Sequence, residues 1–155
     1  MITEKHLMII DPAVVKPAIE SFNRIASIAP YPITYHLPAL YGTTSLGIYN
    51  SNVRGIIVMG SAASVNDNKD WENHISEIML DASAKGIPVL GLCYGHQLIG
   101  HVYGGKVAPL WSGEKKQGER MVHLKKSPLW GEATSGPLLY SHQDGITIVP
   151  PGFDV

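Results

Sequence analysis

The stretch Ile87-Pro-Val-Leu-Gly-Leu-Cys-Tyr-Gly-His-Gln-Leu-Ile-Gly-His-Val-Tyr-Gly-Gly105 decides the fold. Ile87 to Leu92 is a short apolar run, read as a buried strand. Leu98, Ile99 and Val102 recur at helical spacing, and Gly104-Gly105 stops that helix. A strand that turns directly into a helix is the repeating unit of parallel α/β proteins. Cys93 stands at the turn, with Gly91 and Gly95 two residues to either side. A nucleophile on such a turn needs small neighbours, because side chains there would collide with the backbone. The N–H groups opening the helix favour the thiolate, the reactive form of cysteine.

Working outward, Gly55 to Gly60 is β-branched and apolar throughout, as expected of a strand covered on both faces. A polar loop, Ser61 to Asn68, follows it. Trp71, Ile75, Ile78, Met79 and Ala82 then share a helical face, with Asp70 as N-cap and Gly86 as terminator. Upstream, His6 to Ile10 reads as the first strand. Val15, Ile19, Phe22, Ile25 and Ala26 read as a helix with Pro17 in its first turn, ended by Pro30 and Pro32. Thr34 to Leu40, interrupted by Pro38, reads as a strand near a sheet edge. Downstream the pattern changes: Met121 to Leu124, Pro137 to Tyr140 and Gly145 to Val149 read as short strands joined by turns. The expected fold is an open, mostly parallel α/β sheet with helices on both faces, of flavodoxin-like layout, and short antiparallel strands at the C-terminal end. The chain is expected to be a single domain over residues 1–155.

Composition narrows the function. With 12 Lys+Arg against 13 Asp+Glu, the net charge of -1 gives no electrostatic reason to bind nucleic acid or an anionic membrane. One Cys excludes an internal disulfide and suits a reducing compartment, the cytoplasm. No apolar run approaches a membrane span, and the start of the chain lacks a signal-peptide pattern. No His pair has zinc-motif spacing and no glycine-rich phosphate loop is present, so neither metal nor cofactor is expected.

The small-residue loop Gly60-Ser-Ala-Ala-Ser64 ends the strongest strand, where it can aim backbone N–H groups at a developing oxyanion. Thiolate attack on a carbonyl, with the oxyanion held by the Tyr94 N–H and one from the Gly60–Ser61 loop, is therefore a plausible chemistry for the Cys93 turn. Among the seven histidines, His96 and His101 lie on the helix after Cys93, and His6 lies at the wrong end of a parallel strand. His36 and His74 read as surface or capped histidines and His123 as structural. His142, in Ser141-His-Gln-Asp144, occupies a polar turn after an apolar strand.

Gly91-Leu-Cys-Tyr-Gly-His-Gln97 with Leu98 to Val107 resembles the nucleophile segment of class I glutamine amidotransferases. Gly60 to Val65 with Trp71 resembles the oxyanion-loop region of the branch similar to the amidotransferase domain of GMP synthase. Ser141 to Asp144, followed by Pro150-Pro-Gly152, resembles that family's turn ahead of its proline-glycine segment. The resemblance implies that Cys93 attacks the glutamine side-chain amide, that ammonia leaves, and that water releases glutamate from a thioester. It implies an oxyanion hole from the N–H groups of Ser61 and Tyr94. It also implies that Gly60, Gln97, Ser141, His142, Gln143 and Asp144 form the substrate site. Ser61 stands where many relatives carry a second glycine.

The family's catalytic His-Pro-Glu segment lies beyond the stretch matching Phe153–Val155, so these 155 residues are expected to show little or no glutamine turnover. His142 matches another family position and is not the general base. A separate synthetase or acceptor domain is the implied partner. Uncovered core surface favours a homo-oligomer. Two alternatives remain at this point: a non-catalytic amidotransferase-like binding module, and another cysteine hydrolase, peptidase-like or γ-glutamyl hydrolase-like, on the same layout.

Overall fold

A computed structural model describes residues 4–128 and 131–154. Its centre is a four-stranded parallel sheet in the order β2-β1-β3-β4. The strands are β1 (His6–Ile10), β2 (Ile33–His36), β3 (Val53–Val58) and β4 (Val89–Gly91). The helices α1 (Ile19–Ile28), α2 (Pro38–Tyr41), α3 (Asp70–Ala84) and α4 (Tyr94–Val102) lie between and after them. The chain steps one way across the sheet from β1 to β2 and the other way from β3 to β4. Right-handed crossovers therefore place α1 and α3 on opposite faces.

The pleat sorts the side chains accordingly. Met8 and Ile10 of β1 and Ile56 and Val58 of β3 join Ile75, Met79 and Ala82 of α3 and Leu98 of α4 in one buried cluster. Ile9, also fully buried, points to the other face. Truncating a residue as enclosed as Ile75 to alanine costs roughly 2–5 kcal/mol.

The chain divides into two compact units: residues up to Val107 with Ile146 onward, and Ala108–Gly145. The second unit is dominated by an antiparallel hairpin of β6 (Lys116–Leu124) and β7 (Thr134–His142), in register from Lys116↔His142 to Leu124↔Thr134. Strands β5 (Lys106–Pro109) and β8 (Asp144–Ile148) form a further two-stranded sheet.

Several boundaries differ from the sequence reading. Val15 is not on the first helix but precedes it, 82% exposed, and Pro17 also lies before the helix. Asp11 is the reason: its carboxylate accepts the N–H of Ala13 and of Ala18, which holds the intervening loop open and delays the first turn. The second strand stops at His36, and Pro38, which cannot donate to a ladder, opens α2 instead. The N-cap of α3 is Lys69 and not Asp70. There the Glu72 side chain reaches back to accept the Lys69 N–H at 2.6 Å, half of a capping box. β6 and β7 run nine residues each, longer than the apolar patches that suggested them, because hairpin pairing recruits polar neighbours such as Gln117 and Ser141.

Candidate functional site

Cys93 is the N-cap of α4 and adopts φ +52°, ψ -104°, a conformation rare for any residue with a side chain. Its thiol is exposed. The turn is tied from both sides: Leu92 N–H donates to Val58 O at 2.9 Å, and Gly95 N–H lies within reach of Met59 O and Leu92 O. The flanking glycines follow from this closeness. A Cβ on Gly95 would stand 2.1 Å from the carbonyl oxygen of Val58, and one on Gly91 would stand 2.4 Å from the backbone of Gly95. Only hydrogen fits at either place.

The end of β3 lies beside this turn. A Cβ placed on Gly60 would be 3.4 Å from Cys93 Cβ and 3.9 Å from its Sγ, so the loop after β3 borders the sulfur. Ser61 fixes that loop. Its hydroxyl donates to Pro12 O at 2.7 Å and accepts the Ala63 N–H at 3.0 Å. Gln97, one turn along α4, is buried. Tyr94 is fully buried, and its O–H donates to Glu72 Oε1 at 2.7 Å. Burial first, then the Glu72 hydrogen bond and charge, push the phenol far above its ordinary value, so it is a permanent donor.

The structure thus brings Gly60, Ser61, Cys93, Tyr94 and Gln97 together at the carboxyl ends of β3 and β4, the edge where open parallel sheets take ligands. Ser141, His142 and Gln143 belong to the second unit, and Asp144 to its last residues. His142 is not in a turn: it is the last residue of β7, 5.2 Å from the Trp111 ring and 5.4 Å from the Tyr140 ring, with a buried Nε2. Trp111 carries φ +47° and has Lys116 Nζ 5.5 Å above its ring. His36 is not a surface residue either; it is 3% exposed, with Nε2 2.8 Å from Thr34 Oγ1. His74 is exposed and pairs with the Asp70 carbonyl, and His123 pairs with Ser135.

Sequence reasoning missed Glu72 and Asp11. Glu72 had a signal, an acidic residue three positions after the true N-cap, but placing the cap at Asp70 hid it. Among the described residues no group of three or more His, Cys, Asp or Glu could hold a metal ion. No helix among them is long and apolar enough to cross a membrane.

Strand order, turn and cysteine together define an open α/β protein with a single thiol on a strand-to-helix turn. Residues 23–155 match the family model of class I glutamine amidotransferases, and the chain belongs to that family. It is 39% identical over 107 residues to a glutamine-hydrolysing GMP synthase of Porphyromonas gingivalis, covering 68% of this chain and 20% of that protein. It is 35% identical over 113 residues to one of Streptococcus pyogenes, covering 71% and 21%. The chain therefore spans about a fifth of the length of these curated relatives. Among solved structures, a glutamine amidotransferase from Methylobacillus flagellatus superposes with TM-score 0.68 at 22% identity, covering 97% of this chain and 59% of that one. One from Thermotoga maritima gives 0.66 at 14%, covering 93% and 63%. Both share the fold.

Proposed function

We propose that this chain is the glutamine-binding and ammonia-releasing part of an amidotransferase, with Cys93 as nucleophile. The observation that carries this reading is the exposed thiol at positive φ with the Gly60–Ser61 loop against it. The sulfur attacks the side-chain amide carbon of glutamine. The carbonyl oxygen takes the negative charge, facing the N–H groups of Ser61 and Tyr94. Collapse expels the amide nitrogen as ammonia, which takes up the proton that the Cys93 thiol gives up on attack, and leaves a glutamyl thioester. Water then cleaves the thioester to glutamate and restores the thiol.

Gln97, one turn along α4 from Cys93, would hold the amino-acid end of the substrate, and residues 1–155 would belong to one amidotransferase domain. The named relatives are glutamine-hydrolysing GMP synthases, which for this chain points to a synthetase, on another domain or protein, as the consumer of ammonia. Residues 1–155 contain no His-Pro-Glu segment to act as general base, so turnover by these residues alone would be slow, since losing a base costs orders of magnitude in rate. A free, exposed thiol suits a reducing compartment such as the cytoplasm.

A chloroketone analogue of glutamine tests the reading. Stoichiometric labelling at Cys93, blocked by glutamine, supports it. A folded protein that stays unlabelled supports a binding module instead. Turnover of peptides or γ-glutamyl chains without glutaminase activity supports another cysteine hydrolase.

A further inference from the structure

Helices α3 and α4 meet behind the Cys93 turn, and a buried carboxylate joins them. Glu72 Oε2 accepts the Lys69 N–H at 2.6 Å, and Oε1 accepts the Tyr94 O–H at 2.7 Å. A leucine facing a phenylalanine could fill the same space without the cost of desolvating a carboxylate, so the polar pair is not needed for packing alone. What it adds is direction. Tyr94 immediately follows a residue in a strained conformation, and the phenol–carboxylate bond fixes the residue that must hold its shape beside that strain.

We propose that Glu72 is a positioning residue: by gripping the Tyr94 side chain from α3, it sets where the Tyr94 backbone N–H points beside the Cys93 sulfur. This rests on the reading of that N–H as an oxyanion donor. Such donors act only within a narrow range of position, so a small rotation of the first turn of α4 weakens them while leaving the thiol in place.

The experiment compares Tyr94→Phe, Glu72→Gln and the double variant with the wild-type chain, each checked for folding by thermal unfolding. Two alkylation rates at Cys93 are measured from pH 6 to 9. A chloroketone analogue of glutamine develops charge on its carbonyl oxygen and uses the donors; iodoacetamide needs only the thiolate. Each single variant is expected to slow the chloroketone about tenfold and iodoacetamide less than about twofold. The double variant should be no slower than the worse single one, since both break the same link.

The role is overturned if the chloroketone rate is unchanged, if both rates fall together with the melting temperature, or if the two effects multiply. A wild-type chain labelled by iodoacetamide but not by the chloroketone would instead overturn the amidotransferase reading and the positioning role with it. That outcome is distinct from a wild type labelled by both reagents whose variants react at the wild-type rates.

Discussion

Cys93 holds its thiol out at the cost of its own backbone. A non-glycine residue in this part of conformational space is destabilised by roughly 1–3 kcal/mol. Cys93→Gly is therefore expected to stabilise the fold by about 1 kcal/mol, raising the melting temperature by about 3 °C, while abolishing alkylation. Calorimetry with mass-spectrometric labelling checks both halves. Gly95 shows the opposite constraint. Gly95→Ala drives a methyl into a backbone carbonyl that cannot retreat, and urea unfolding should show a loss of about 3 kcal/mol or more. Gly100→Ala is the contrast: its Cβ would meet Ile146 Cδ1 at 2.6 Å and Cγ1 at 2.8 Å, atoms of a half-buried side chain that can shift where a backbone carbonyl cannot, and alanine favours the helix. A change within about 1 kcal/mol is expected there by the same assay.

At the scale of elements, β2 carries a buried base. His36 is pushed down to about 4, first by burial and then by the charge of the buried His6. The unfolded imidazole takes its proton near 6.5, so between the two values the unfolded chain binds more protons than the fold. Stability is then complete above about pH 6.5 and lost as pH falls toward 4, with about 2 kcal/mol gone between pH 7 and pH 5. Urea titrations at the two pH values measure this, and His36→Gln should flatten the difference. The burial of this histidine was invisible in sequence. Period-two patterning shows which side of a strand a residue faces, but what covers that side is contributed by residues far along the chain.

For the whole molecule, β4 is an edge of the sheet among the described residues, with Leu90 in it 53% exposed and Leu92 just after it 39% exposed. A net charge of -1 gives little repulsion to keep two such surfaces apart. Concentration-dependent self-association is expected by light scattering, and Leu90→Glu should shift it toward the monomer without lowering the melting temperature. The alternation of strands and helices, the buried character of β1 and β3, and the Gly-x-Cys-x-Gly turn were all legible by eye. Each depends on local periodicity or on contacts a few residues apart, which chain order alone specifies. Strand order, the approach of the Gly60 loop to the sulfur, the Glu72–Tyr94 link and the burial of His36 were decided by tertiary packing. The Glu72–Tyr94 link and the Gly60–Cys93 approach join residues 22 and 33 positions apart and the β1–β3 pairing residues 47 to 48 apart, and no local rule carries across such distances until the sheet has formed.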